Sequence, residues 1–192
     1  MNNKISLPTI SGLAINPASW LAKRYLEIKN FESCRREAME NNLMKIEKRA
    51  SSARYLAYIM KLLRTLDDRE LELLASSNAN TQRAMMWLAF CRTYPIMGKF
   101  ADTVINQKFN HYDFSLCTSD WNEFLSRESQ EHQEIEDIGK ASRAKAKSVL
   151  FGNLRNVGYL SSSNAIKGAM LPNEMVKMIG SDIRYFPVFM ER

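Results

Sequence analysis

The fold class of this chain is decided by one stretch, Ser51-Ser-Ala-Arg-Tyr-Leu-Ala-Tyr-Ile-Met-Lys-Leu-Leu-Arg-Thr-Leu66. Its large aliphatic residues recur three or four positions apart, the spacing of one side of an α-helix: Leu56, Ile59, Leu63 and Leu66. The basic residues fall off this stripe: Arg54, Lys61 and Arg64. The stretch therefore predicts an amphipathic helix with an apolar face for the core and a basic face that remains exposed.

Helical patterns continue on both sides of this stretch. Only seven glycines and five prolines occur in 192 residues, and most stand where a helix would begin or end. The sequence therefore predicts an all-α fold, a compact multi-helix bundle with a short hairpin or an irregular loop between about residues 159 and 171. We expect helices at these approximate positions: 16–30, 33–45, 51–66, 67–75, 78–91, 96–109, from 118 onward, 139–157 and 173–179.

The helix ends are predicted from residues that satisfy the terminal backbone groups of a helix. Asp67 with Glu70 has the spacing of a capping box, and Gly158 suits the left-handed conformation that ends a helix. The other predicted caps are polar residues just before an apolar run: Asn16 with Pro17, Ser33, Ser51 or Ser52, Asn78 or Asn80, and Thr118.

The domain organisation is expected to be simple. We predict a flexible N-terminal arm over residues 1–15, a helical half over 16–110, and a winged-helix-like half over 111–192 packed on the first as one unit. No apolar run approaches the roughly 20 residues of a membrane span, and Pro8 and Gly12 argue against a signal peptide. Three widely spaced cysteines suit a reducing compartment, so a cytoplasmic protein is expected.

Charge is distributed unevenly along the chain. Residues 1–64 hold 12 Lys/Arg against 5 Asp/Glu, residues 65–138 hold 6 against 13, and residues 139–192 hold 9 against 3. Clustered cations attract polyanions, which makes nucleic acid the leading class of partner. The alternative is that the basic segments are solvated helix faces that pair with the acidic middle third.

The first basic cluster lies between positions 45 and 64, which hold six Lys/Arg and one Glu. It joins two predicted helices by a turn, as a helix-turn-helix does, and hydroxyls at a helix start can bind phosphate. The predicted DNA-contacting residues here are Lys45, Lys48, Arg49, Ser51, Arg54 and Lys61. The alternative is an ordinary corner between two helices, in which the serines only cap.

The second basic cluster opens the predicted helix after Gly139. A helix with basic residues in its first turns, followed by glycine and a hairpin, resembles the recognition half of a winged helix-turn-helix. The predicted contacts are Ser142, Arg143, Lys145 and Lys147, with Lys167 on the wing. The alternative is an amphipathic helix with a solvated basic face.

Catalytic and metal sites are not predicted. Nucleotide-binding and nucleophile motifs are absent, and His111, His132, Cys91 and Cys117 lack the spacing of a zinc site. The acidic stretch 128–137 lacks the glycine and alternating ligands of a calcium loop, so we interpret it as a solvated acidic face or a protein-binding surface. No enzyme activity, metal or cofactor is expected.

Several of these segments together resemble the BrxA family. They follow in the same order over about residues 15–180: 51–66, Met86-Trp-Leu-Ala-Phe-Cys-Arg-Thr-Tyr94, Asp120-Trp-Asn-Glu-Phe-Leu125, Lys147-Ser-Val-Leu-Phe-Gly-Asn-Leu-Arg-Asn-Val-Gly-Tyr-Leu160 and Leu171-Pro172. BrxA is a small component of BREX bacteriophage-exclusion systems, in which host DNA is methylated and phage replication is blocked. The resemblance implies a helical, non-catalytic, DNA-binding accessory protein of antiviral defence with a NusB-like core.

The resulting hypothesis is that the basic helix surfaces bind double-stranded DNA with little sequence specificity. The alternative is an adaptor that assembles other defence components, for which the partners would be other BREX proteins and DNA binding incidental. RNA binding would need aromatic side chains displayed among basic ones, for which only Tyr159, Tyr185 and Phe186 are candidates. Monomer and dimer both remain open.

Overall fold

The computed structural model describes residues 6–189, and within that range the chain is helical and has no β-strand. The α-helices are α1 Ile15–Ile28, α2 Phe31–Glu40, α3 Arg49–Leu63, α4 Asp68–Ser76, α5 Ala79–Thr93, α6 Pro95–Phe100, α7 Gln107–Asn110, α8 Thr118–Glu131, α9 Lys140–Val157 and α10 Asn173–Ile179. A π-helical turn, Ala101–Asn106, joins α6 to α7, and 3-10 turns lie at Gln133–Ile135 and Gly180–Tyr185. The prediction of an all-α fold is confirmed.

The chain divides into two compact units. The α1–α5 unit spans Leu13–Thr93, and within it α1 packs against each of the other four helices. The apolar stripe of α3 is buried as its period predicts, because Leu56, Ile59 and Leu63 are fully covered. The α6–α10 unit comprises, among the described residues, 94–189 together with 6–12.

An aromatic cluster forms part of the core of the α6–α10 unit. Phe100 meets Trp121 and Phe124 edge-on, with ring centroids 5.3 and 5.1 Å apart. These edge-to-face contacts suit the opposite charges at the edge and the face of aromatic rings. They fix α6 against α8, which carries one side of the cleft described below.

Several predicted helix ends are confirmed. Asp67 and Glu70 form the capping box of α4. The carboxamide oxygen of Asn78 accepts from the backbone N–H groups of Asn80 and Thr81 at the start of α5. Gly158 ends α9 at φ 89°, a left-handed conformation that glycine adopts without strain.

Three predicted helix starts and one predicted helix end were wrong. Helix α1 begins at Ile15, before Asn16, and Thr118 is the first residue of α8 rather than its cap. Asn30, not Ser33, caps α2. Its side-chain oxygen accepts from the backbone N–H of Ser33, three residues later, as an N-cap residue does. Helix α2 also ends at Glu40, before the expected boundary near Lys45.

The start of α3 also differs from the prediction, and it matters most for function because the first basic cluster surrounds it. The helix begins at Arg49, and Lys48 in the capping position makes no side-chain cap. Ser51 and Ser52 therefore lie inside the first turn rather than before it. The segment expected to be a tight turn is an eight-residue connection in which Asn42 and Lys45 have positive φ.

Three further expectations concern the hairpin, the N-terminal arm and membrane-spanning segments. An antiparallel bridge joins Leu160 to Ile166, so the expected hairpin is present only as single bridges. Residues 1–5 of the predicted arm lie outside the described range, while the N–H of Gly12 donates to Asn153 Oδ1 at 3.0 Å. None of the described helices is both long enough and apolar enough to span a membrane.

Candidate nucleic-acid interface

Carboxylates of the acidic middle third pair with several cations outside the predicted DNA-contacting set. Two of its carboxylates are neutralised from nearby helices, Glu70 by Arg92 and Asp68 by Lys29, each at 2.7 Å. Further pairs are Lys108 with Asp113 at 2.7 Å and Asp120 at 3.3 Å, Lys99 with Glu128 at 2.7 Å and Glu131 at 3.4 Å, and Arg184 with Asp102 at 4.0 Å. Pairing between the basic segments and the acidic middle third, which the alternative expects, is therefore present at Lys29 and Arg184.

The predicted DNA-contacting cations form a contrasting group. None of the following makes an ion pair with any residue from 6 to 189: Lys45, Lys48, Arg49, Arg54, Arg143, Lys145, Lys147 and Lys167. Most of them are exposed, with Arg143 and Lys147 half-buried. Their charges are left for solvent ions or for an external anion.

The first basic cluster surrounds the start of α3. Lys48 occupies the capping position, Arg49 opens the helix, and no acidic residue lies in the first turn. Cations at this end oppose the helix dipole, and the first backbone N–H groups of the helix have no side-chain acceptor. An anion bound at this terminus would offset the repulsion between these cations and the helix dipole. It would also accept hydrogen bonds from the free N–H groups. Ser51 is half-buried within the same turn.

The other residues of this cluster lie on different sides of α3. Arg54 and Lys61 are exposed and seven residues apart, which is close to two helical turns, so they share one outward face. Lys45 is exposed in the connection before α3, where its N–H donates to the carbonyl of Asn42 at 2.8 Å. The cluster is therefore spread around the start of α3 and along one side of it.

A cleft of about 350 Å³ between α2 and α3 adds two arginines that sequence reasoning missed. Arg35 and Arg36 line it opposite Arg49, and Arg35 donates to Glu32 at 2.9 Å. The sequence did not single out these arginines, because acidic residues in the same segment cancel their charge and a count of charges along α2 gives no positive excess. Only the packing of α2 on α3 joins them to the basic cluster.

Arg143 is held by the protein itself. Its guanidinium donates to the backbone carbonyls of Ile138 at 2.8 Å, Ile135 at 2.6 Å and Glu136 at 3.0 Å. The side chain therefore fixes the turn that precedes α9. Arg143 acts as a positioning residue, and this geometry does not favour the DNA contact expected of it.

The remaining residues of the second cluster point in different directions. Lys147 lines a cleft between α8 and α9, as does Lys140, which is not among the contacts predicted from the sequence. Lys145 lies two residues from Lys147, a rotation of about 200°, and is exposed on the other side of α9. Ser142 is exposed in the first turn of α9, and Lys167 is exposed directly after the Leu160–Ile166 bridge.

One group of side chains has the composition of a metal site. Glu128, Glu131 and His132 bring their ligand atoms within 4.8 Å of one another. The ammonium of Lys99 lies 2.7 Å from Glu128 and 3.4 Å from Glu131, and its hydrogen bond to Glu128 raises the pKa of Lys99. These carboxylates already share a cation, so the arrangement is that of an ion-pair cluster.

The fold and the site define a class, an all-α protein in which the cations at the starts of α3 and α9 make no ion pair within the described residues. The BrxA family profile matches residues 9–182. A protein of Escherichia coli O9:H4 (strain HS) named BREX protein BrxA is 22% identical over 142 residues, covering 74% of this chain and 67% of that protein. The chain belongs to the BrxA family.

A solved structure supports the fold. An uncharacterized protein from Magnetospirillum magneticum shares it with a TM-score of 0.73 over 88% of this chain and 87% of that one. At 17% sequence identity this similarity concerns the fold alone.

Proposed function

We propose that this chain is a non-catalytic DNA-binding component of a BREX-type phage-defence system that works in the cytoplasm. It binds the backbone of double-stranded DNA with little sequence specificity. The BREX assignment is supported by family membership and by the name of the Escherichia coli relative. The DNA assignment is supported above all by one observation, that eight cations of the two basic clusters and the wing lack carboxylate partners within residues 6–189: Lys45, Lys48, Arg49, Arg54, Arg143, Lys145, Lys147 and Lys167.

The mechanism is neutralisation of phosphates. Each cation that replaces a condensed counterion on DNA releases that ion, so binding weakens as salt concentration rises. Lys48, Arg49 and Arg54 act from the α1–α5 unit, and Lys145 and Lys147 act from the α6–α10 unit. Engagement of about five phosphates corresponds to a log–log salt slope of about −4.5. Low specificity follows because phosphate contacts carry no base information.

Arg54 and Arg69 provide a matched pair of variants. Both are exposed arginines on helices of the α1–α5 unit, and neither makes an ion pair with a residue of the described range. Arg54 lies in the basic cluster, whereas Arg69 stands among Asp67, Asp68 and Glu70. We expect Arg54→Ala to weaken duplex binding and to reduce the magnitude of the salt slope by about 1, with Arg69→Ala close to wild type. If the two variants weakened duplex binding equally, the basic cluster would have no special part in binding DNA.

The adaptor alternative has one observation in its favour. An aromatic patch in the α6–α10 unit exposes 74% of Tyr112, 56% of Phe189 and 38% of Phe114. The rings of Tyr112 and Phe189 lie 5.5 Å apart between centroids. Exposed aromatic side chains are enriched at protein interfaces. Loss of co-purifying defence proteins in a Tyr112→Ala, Phe189→Ala double variant, with duplex affinity unchanged, would favour this role.

The aromatic residues that suggested RNA recognition are mostly buried. Tyr159 and Phe186, two of the three aromatic residues that suggested it, are 6% and 0% exposed. Side chains covered to this degree offer no face on which a base could stack.

A further inference from the structure

The cleft between α8 and the start of α9 has its own chemistry. It has a volume of about 650 Å³ and is bounded by residues of one unit only. Apolar atoms of Trp121, Leu125 and Ala144 contribute to its lining, together with polar side chains from α8 and cations from α9. This combination of an apolar surface and a few converging polar groups is typical of ligand-binding clefts.

One buried donor in the cleft lining lacks an acceptor. Trp121 is 1% exposed, and its indole Nε1–H has no hydrogen-bond partner among the described residues. Buried donors are rarely left unpaired, because water no longer compensates them. The side chains of Asn122 and Ser126 line the same cleft and also make no hydrogen bond within residues 6–189.

The charge of the lining is positive. Lys140 and Lys147 are seven residues apart on α9, so both ammonium groups belong to one face. Neither makes an ion pair within the described range, and Glu136 is the single carboxylate of the lining. The 18-residue helix α9 starts here behind Gly139, which supplies no side-chain cap, so its positive end adds to the field.

We propose that this cleft is a binding site for a phosphate group, held by Lys140 and Lys147 with Asn122 and Ser126 beside the buried ring of Trp121. A phosphate offers several acceptor oxygens and negative charge, which suits a set of donors with two free ammonium groups. Arg143 keeps the α9 end of the cleft in place through its three carbonyl contacts. The inference rests on the proposed function only for one source of the phosphate, the DNA backbone. A small phosphate compound is the other source.

The test is NMR of the indole N–H groups in the full chain, which has three tryptophans. The Trp121 resonance is followed during separate titrations with inorganic phosphate, thymidine monophosphate and a duplex of about 12 base pairs. We expect it to shift, and we expect the Lys140→Ala, Lys147→Ala double variant to weaken phosphate binding about tenfold. Lys177→Ala, at an exposed lysine of α10 that does not line the cleft, is the control and should change it less than about twofold.

The outcomes separate this inference from the proposed function. A Trp121 shift with duplex and phosphate that the double variant weakens supports a backbone phosphate in the cleft. A shift with phosphate or the nucleotide alone supports the site and identifies a small compound as its occupant. An unmoved Trp121 resonance, or a shift that Lys177→Ala weakens equally, overturns the cleft site even where duplex binding persists. Absence of duplex binding together with a phosphate-dependent shift would overturn the proposed function alone.

Discussion

Arg92 donates from both terminal guanidinium nitrogens to the two carboxylate oxygens of Glu70, at 2.7 and 2.8 Å. Glu70 is 2% exposed and accepts in addition from the N–H of Asp67, while Arg92 also reaches the carbonyl of Thr65. One buried pair thus joins the end of α5, the capping box of α4 and the turn after α3. The finding explains why an acidic residue is tolerated inside the α1–α5 unit.

Arg92→Ala should destabilise the protein strongly. The substitution leaves the buried carboxylate of Glu70 without its charged partner, and breaking a pair of this kind costs about 3–5 kcal/mol. Chemical denaturation gives the free energy of unfolding of the variant. Arg69→Ala, an exposed arginine on the neighbouring helix, is the control and should stay within about 0.5 kcal/mol of wild type. Equal stabilities of the two variants would contradict the role of the pair.

Arg143→Ala should loosen the turn before α9. Three backbone carbonyls lose a charged donor, two of them in part-buried contacts, and a hydrogen bond to a charged group contributes about 1.5–3 kcal/mol. Hydrogen exchange should accelerate at residues 135–143, where Lys145→Ala leaves it unchanged. Wild-type exchange in the variant would show that the guanidinium does not hold this turn.

The three cysteines should differ in reactivity. Cys117 is exposed, whereas Cys34 and Cys91 are buried, and burial raises the pKa of the Cys34 thiol. Since the thiolate is the reactive form, a thiol reagent should modify Cys117 quickly in the folded protein and the other two only after unfolding. Mass spectrometry of alkylated peptides measures this order, and the Cys117→Ser variant should lose the fast reaction. Rapid labelling of Cys34 in the folded chain would contradict the core packing.

Asp113 should titrate at an unusually low pH. The side chain of Lys108 and then the N–H of Ser115 hydrogen-bond its carboxylate, and together they lower the pKa of Asp113. A group with a lowered folded pKa stabilises the fold above its unfolded pKa, and that contribution is lost as the pH falls through the folded value. Carbon-detected NMR titration should show the low pKa and its return towards the ordinary value in Lys108→Ala. An unchanged titration in the variant would contradict the pairing.

The helical core could be predicted from the sequence because it depends on local periodicity. Leu56, Ile59 and Leu63 are buried where their spacing places them, and Gly158 ends α9 as its conformational freedom predicts. Caps were less predictable, since Asn30 and Ser33 compete for the same helix start and only the backbone geometry decides between them.

The site was predictable only in part, because pairing depends on tertiary contacts. Lys99 and Lys108 are basic residues like the predicted contacts, yet each meets carboxylates from other parts of its unit. Arg143 is used by its own backbone, and Trp121 enters the cleft lining only through the packing of α8 beside α9. Charge counts along the chain locate basic segments, but they do not distinguish neutralised cations from free ones.

Duplex binding as a function of salt tests the central claim most directly. Fluorescence anisotropy with a duplex of about 30 base pairs and with its single strand, repeated at several salt concentrations, gives the affinity and the salt slope. If the basic clusters neutralise about five phosphates, the protein should bind the duplex with micromolar or tighter affinity and a log–log slope of about −4.5. Absence of duplex binding at low salt, or an affinity that salt does not change, would contradict this claim and leave the adaptor role.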